Sequence, residues 1–344
     1  MRVLLLTLAA MFASGLSNAN AAAPARESST SQPSTTSQLA SLRTLLQAPD
    51  SRIDLAQAKL AIDRMIDQKI DEAATLRQLD ILATRIKARF PVGANDAVKM
   101  ELLLASLRQP GPWNDYRPFS YDLDDPFGKD IRNKLMSTYL ASRKGNCVSM
   151  PVLLVILGQK LELNITLATA PEHVLAKFHN PFDNKWVNVE ATSFGFKLDS
   201  SYQREGGITP LAMKNRIYLR PLSKSEAVVV MAGTLLEFYG RQGQQDRRIA
   251  VADLLLQTDP KDVSTMLQKG NAYFRMAKER YLSKYQSLEE MSPAQRQELE
   301  TLQHNNDLWF DKAEALGWTI PTQTRNANYL QHIQRIRAAQ QGGQ

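Results

Sequence analysis

RKGNCVSMPVLL, residues 143–154, holds Cys147, the only cysteine among the 344 residues. A glycine–asparagine turn precedes the thiol, and a run of aliphatic residues follows it. Proline decides how the stretch is read. Pro151 lacks an N–H, and its ring clashes with the carbonyl four residues back, so it belongs in the first turn of a helix. PVLLVILGQKL, residues 151–161, is therefore expected to be a buried helix that starts at or just before Pro151. Cys147 then lies at the helix opening, where free N–H groups and the positive end of the macrodipole favour a thiolate. A nucleophile placed there can also use its own backbone N–H to bind an oxyanion.

The N-terminus sharpens the question of why one thiol is kept. MRVLLLTLAAMFASGLSNANA has a positive Arg2, an apolar stretch from Val3 to about Ala13, and small residues ending in Ala19-Asn20-Ala21. That layout predicts a secretory signal peptide cut after Ala21. Its apolar part is shorter than the ~20 residues a membrane span needs. The mature protein is thus expected to be periplasmic or secreted, with no membrane span after cleavage. Disulfides persist in such compartments, yet Cys147 has no second cysteine to pair with. A leftover thiol there points to intermolecular pairing, a reactive nucleophile or an inert buried residue. The formal net charge of +7 comes without a dense basic cluster or interleaved aromatics, so nucleic acid is not an expected partner.

Composition and periodicity divide the rest. Residues 1–21 read as the signal peptide and residues 22–40, small, polar and proline-bearing, as a disordered linker. Residues 41–110 read as a helical region, with apolar residues at three and four spacing in LAQAKLAIDRMIDQ, DEAATLRQLDILATRIKARF and AVKMELLLASLRQ. Residues 111–222 read as the core. Its entry, RQPGPWNDYRPFSYDLDDPFG, is expected to be an ordered loop whose part from Trp113 to Gly128 roofs a cleft. KDIRNKLMSTYLASRKGN is expected to be a helix that stops at Gly145-Asn146. NITLATA, HVLAKFHN and KWVNVEAT then read as three antiparallel strands. Residues 223–320 read as helical, with starts signalled at Ser223-x-x-Glu226, Asp259-Pro260-Lys261-Asp262 and Ser292-Pro293-Ala294-Gln295. Residues 321–344 read as a polar tail. The fold class is α+β: one helix and a three-stranded antiparallel sheet, flanked by helices on both sides.

A cysteine nucleophile needs a base, usually histidine, and that base needs an orienting acceptor. His304 and His332 lie far off in the C-terminal part, and His179, beside Asn180, reads as a surface group. His173 opens the second strand and Glu190 lies on the third, so a hairpin through residues 180–184 brings both to the same end of the sheet. Taken singly, a lone cysteine is usually a small core residue, a strand histidine a hydrogen-bonded surface group, and Glu190 a partner for a lysine. The order Cys, His, acid within one helix-and-sheet unit is much less expected by accident.

That unit resembles the core of the transglutaminase-like superfamily, relatives of the papain-type cysteine proteases. The resemblance rests on Arg143, Gly145 and Cys147, on His173, and on Trp186-Val187-Asn188-Val189-Glu190-Ala191-Thr192. It is similar in particular to the SirB-type branch, in which leading helices precede the core and tetratricopeptide-like helices follow. Here GTLLEFYGRQ and GNAYFRMAKE, beginning at Gly233 and Gly270, resemble degenerate tetratricopeptide pairs. The resemblance implies that Cys147 is the nucleophile, His173 the general base and acid, and Glu190 the orienting acceptor. Glu190 stands where the family pattern has aspartate, and its extra methylene shifts the carboxylate by about a bond length. Asn146 and Tyr139 are candidates for a second oxyanion donor.

Two functions fit. One is a cysteine-dependent acyl-transfer enzyme that hydrolyses or transamidates peptide or protein substrates of the cell envelope. The other is a non-catalytic scaffold of the same fold that binds a peptide in the cleft and a protein partner through the C-terminal helices. No cofactor is expected, since the sequence has no Gly-rich phosphate loop and no dinucleotide fingerprint. One cysteine and two nearby histidines also lack the ligand arithmetic of structural zinc.

Overall fold

A computed structural model describes residues 35–321 and the isolated helical positions 331, 334 and 338. The expected signal peptide, residues 22–34 of the expected linker, and nearly all of the polar tail lie outside the described residues.

The expected linker ends sooner than residue 40. Helix α1, Thr35–Gln47, begins inside it. Its Ser, Thr and Gln content conceals leucines at helical spacing: Leu42 and Leu46 are buried, while Leu39 and Leu45 pack beside them. Three helices follow, α2 (Leu55–Ile66), α3 (Glu72–Lys87) and α4 (Asp96–Arg108). The side chains of Asp54, Asp71 and Asn95 cap them by accepting first-turn N–H groups, as short polar residues at helix starts do.

The next segment departs from expectation. In place of one helix to residue 144 there is a 3-10 turn at Ile131–Lys134 and a short α5, Met136–Ser142. The two are separated by extended Leu135 (φ −81°, ψ 138°), and α5 ends on left-handed Arg143 (φ 62°). Lys144–Gly145 is a strand, β2, paired in parallel with β1, Ser120–Tyr121, from the preceding loop. That loop does not roof a cleft through Trp113. The indole N–H donates to the Ser106 carbonyl at 2.9 Å, and the Arg89 guanidinium lies 3.5 Å from the ring centroid, so Trp113 is folded back on α4.

Helix α6, Ser149–Lys160, places Pro151 in its first turn as predicted, and all its residues from Ser149 to Gly158 are buried. The strands β3 (Ile165–Ala170), β4 (His173–Asn180) and β5 (Lys185–Glu190) form the expected antiparallel meander. The sheet has four strands, however, because β6, Gly195–Lys197, pairs Gly195 with Glu190 and Phe196 with Val189. Three residues around a glycine carry no alternation by which to read a strand. The free edge of β3 is covered by the segment after residue 217, where Leu222 and Leu219 donate their N–H groups to Leu167 and Thr169.

Period-2 alternation splits the sheet between two cores. Ile165, Leu167, Ala176, Phe178 and Val189 face α6 and share a core with α1–α4 and with α9 (Lys224–Arg241) and α10 (Gln245–Thr258). Ala168, Ala170 and Leu175 face the other way, toward α7 (Asp199–Gly206), α8 (Pro210–Asn215), α11 (Val263–Ala277) and α12 (Pro293–Ala315). Ser223 with Glu226, and Ser292 with Gln295, make the two expected capping boxes. The third start shifts: Asp262 caps α11, while Asp259 ends α10 and accepts from Arg220 at 2.7 Å. Gly233 and Gly270 lie inside α9 and α11, not at helix starts. No helix among the described residues is long and apolar enough to cross a membrane.

One polar pair ties the N-terminal helices to the segment before Cys147. Lys59 and Asp63 on α2 are fully buried and bond each other at 2.5 Å. Lys59 also donates to the Lys134 carbonyl at 2.9 Å, and Asp63 accepts the Met136 N–H at 2.8 Å. Removing one partner leaves an uncompensated buried charge. Lys59→Met is expected to lower unfolding free energy by roughly 3–5 kcal/mol in urea denaturation.

Candidate active site

The turn that carries Cys147 is held from both sides. Upstream, Ser120 N donates to Arg143 O at 2.9 Å and Asp122 N to Gly145 O at 2.7 Å. Gly145 is required here by packing, since a Cβ would meet Tyr139 Cε2 at 2.4 Å and Met150 Cγ at 2.6 Å. Downstream, Asn146 Oδ1 accepts from Val148 N at 3.0 Å and Ser149 N at 3.1 Å, so Asn146 caps the start of α6. Cys147 sits in the turn between, half-buried and free of any disulfide.

His173 and Glu190 lie on the same face of the sheet, opposite to the face that α6 covers. In the β4–β5 register, where Ala176 faces Val189, they are diagonal neighbours. A diagonal separation of about 7 Å suits a long side chain, and Glu190 spans it, with His173 Nε2 and Glu190 Oε2 at 2.8 Å. His173 is the first residue of β4, just past the turn at residues 171–172, so its ring stands at the end of the sheet. There the Cys147 side chain is near enough to act on the ring. With Nε2 committed to Glu190, the nitrogen left for the sulfur is Nδ1. His173 and Glu190 thus pair at the end of the sheet, with Cys147 near the ring.

The electrostatics follow from burial. Glu190 is 3% exposed, and burial alone would keep its carboxyl neutral. Against this stand the charge and hydrogen bond of His173, then bonds from Thr192 and Tyr202, and together they hold the group well below the usual carboxylate range. Each oxygen is doubly served. Oε1 accepts from Thr192 N at 3.1 Å and Thr192 Oγ1 at 2.6 Å, while Oε2 accepts from His173 and, at 2.8 Å, from the Tyr202 hydroxyl. Burial would likewise strip the proton from His173. The Glu190 charge and the Cys147 and Glu190 hydrogen bonds prevail, and the imidazole is pushed up to about 10. At neutral pH the ring is therefore an imidazolium.

Neither oxyanion candidate fits. Asn146 spends its carboxamide on the α6 cap and on the Asn133 carbonyl at 3.2 Å. Tyr139 is 1% exposed and packs edge-on against Phe119, 5.2 Å between centroids. Tyr202 was not foreseen. It lies on the short polar helix α7, in SYQREGG, which carries no periodic signal, and its ring stacks 6.0 Å from that of His173. Thr192 was visible only as part of the strand's end, though a hydroxyl two residues past an acid readily bonds it. Among the described residues no group of three or more His, Cys, Asp or Glu is arranged to hold a metal ion.

The pair makes stability depend on pH in a defined sense. The raised His173 contributes fully below its ordinary 6.5, and this is lost as pH rises through about 10. The lowered Glu190 contributes above its ordinary 4.5, and this is lost as pH falls. The stability difference between wild type and Glu190→Gln is expected to be largest from pH 4.5 to 6.5 and to shrink toward pH 10 in denaturation series. Tyr202→Phe removes one of the four donors to the carboxylate and is expected to cost about 1.5–3 kcal/mol in the same assay.

Residues 73–232 match a family model described as the transglutaminase-like superfamily. No curated protein and no solved structure matches the chain. The matched span runs from α3 into α9 and includes the Cys147 turn, the four-stranded sheet and α7. Over residues 73–232 the chain is thus similar to the transglutaminase-like superfamily.

Proposed function

We propose that the protein is a cysteine-dependent acyl-transfer enzyme in which Cys147, His173 and Glu190 act as nucleophile, proton carrier and orienting acceptor. One observation carries the reading: the His173 imidazole, near the lone thiol, meets a buried carboxylate at 2.8 Å that favours its protonated form. A cation beside a thiol favours the thiolate. His173 then carries its proton before substrate arrives.

Each step follows from those positions. The Cys147 sulfur attacks an amide carbonyl, forming a C–S bond and a tetrahedral oxyanion. The Cys147 N–H at the α6 entrance is placed to bind that oxygen. As the intermediate collapses, the C–N bond breaks and His173 gives its proton to the departing amine. Water or a second amine then attacks the thioester while His173 takes a proton back. The acid or the new amide leaves, and the sulfur is freed. Glu190 holds the ring in register throughout, and Thr192 and Tyr202 hold Glu190.

The leader at residues 1–21 supports export, with envelope peptides or proteins as substrates. Leading helices before the domain and the helical region from α9 to α12 support placing it in the SirB-type branch. In that branch, tetratricopeptide-like helices offer a partner surface. The second reading is a peptide-binding scaffold. It is favoured by the position of a concavity of about 330 Å³, lined by residues 51–56, the far end of α6 and Lys224, away from Cys147.

Alkylation of Cys147 separates the two readings. With iodoacetamide at pH 6, wild type is expected to react at least ~10-fold faster than His173→Ala. Cys147→Ala gives the blank. Equal slow labelling of wild type and His173→Ala supports the scaffold and ends the catalytic reading.

A further inference from the structure

Four residues upstream of Cys147 the chain gathers positive charge that it does not neutralise. Arg143, the left-handed cap of α5, lies with its guanidinium 4.3 Å from the centroid of the Phe119 ring and 16% of its side chain exposed. Two of its nitrogens, Nε and Nη1, are buried without a hydrogen-bond partner. Arg85 on α3 and Arg117 on the loop before β1 both act on it: after burial, the Arg117 charge is the largest influence lowering its pKa, and Arg85 adds to it. Asp115 is the carboxylate that bridges this group. It meets Arg85 Nη1 at 2.6 Å and Arg143 Nη2 only at 3.9 Å, with its side chain 59% exposed. Arg117 spends Nη2 on the Ala141 carbonyl at 3.0 Å.

Three guanidiniums with one outward-facing carboxylate, held closely by Arg85 alone, leave an excess of positive charge at a fixed place. Burying a cation without a full set of partners is unfavourable. Unpaired buried donors are uncommon enough that each calls for a reason. Guanidinium forks match the oxygens of carboxylates and phosphates in paired geometry. The backbone presents Asp115 at the rim of this cluster in a left-handed turn, with φ of 57° at Asp115 and 56° at exposed Tyr116.

We propose that Arg85, Arg117 and Arg143 form an oxyanion-binding site, taking a carboxylate or phosphate group, with Asp115 as the internal group the ligand displaces. Arg143 precedes Cys147 by four residues, so their Cα atoms lie at most about 14 Å apart. The site rests on its own residues and not on the reactivity of Cys147.

The test is a thermal shift of the full-length protein, with inorganic phosphate and succinate as separate probes at fixed ionic strength, so that general screening is constant. Wild type and Cys147→Ala are expected to gain about 2–4 °C with at least one probe near 10 mM. Phosphate alone acting assigns a phosphoryl ligand, and succinate acting assigns a carboxylate. The gain is expected to vanish in Arg143→Gln and in Arg117→Gln, and to persist in Lys284→Gln, which removes an exposed charge elsewhere. Arg117 is exposed, so its variant decides the matter if Arg143→Gln fails to fold. No gain with either probe, or the same gain in every variant, overturns the proposal.

Discussion

A carboxylate buried beside a sheet must either lose its charge or be surrounded by donors. Glu190 takes the second course, and much of the local architecture follows from it. Four donors converge on its two oxygens: His173, the Tyr202 hydroxyl, and the Thr192 N–H and hydroxyl. Supplying them requires β5 to end at Glu190, the chain to turn at Thr192, and α7 to lie across that face of the sheet. The same ionised group then keeps a proton on His173, which prepares the imidazole for the sulfur at the mouth of α6. The longer acid is accommodated through register, because Glu190 lies diagonally from His173 and reaches along the sheet.

The cysteine turn is positioned by contacts from distant parts of the chain. Asn146 hangs from the Asn133 carbonyl, and the residues just after Asn133 are gripped by the buried Lys59–Asp63 pair of α2. From the C-terminal side, Glu237 of α9 pairs with Lys134, and Arg241 donates to the carbonyls of Gly128 and Lys129. The helices before and after the sheet therefore converge on one segment, residues 128–146, that ends at the thiol. A displacement of α9 by a bound partner would be felt there directly. This is a physical route by which helical flanks and the site are linked in one packed unit.

The sequence made the centre of this arrangement readable and left its supports obscure. Pro151 located the start of α6, and with it Cys147. Alternation in HVLAKFHN and KWVNVEAT, joined by a polar turn, was enough to set His173 and Glu190 at one end of a hairpin. Both signals are local and strong. The misreadings share a cause, which is that tertiary contacts overrode local pattern. Helix α1 hid beneath serine and threonine because its few leucines find partners on α9 and α10. Lys59 and Asp63, at i and i+4, look like a solvated surface pair until Lys134 and Met136 close over them. Asn146 invited a chemical role, but its carboxamide is consumed by the helix it caps. Tyr202 gave no warning, since nothing in a short polar helix states which strand its tyrosine will meet.

The central claim is that His173 rests as an imidazolium, held so by Glu190, next to Cys147. NMR titration of the His173 ring nitrogens reads this without any substrate. A doubly protonated ring at pH 8, losing its proton only near pH 10, is the expected result. A ring that is neutral at pH 8 and titrates near the ordinary 6.5 would contradict it.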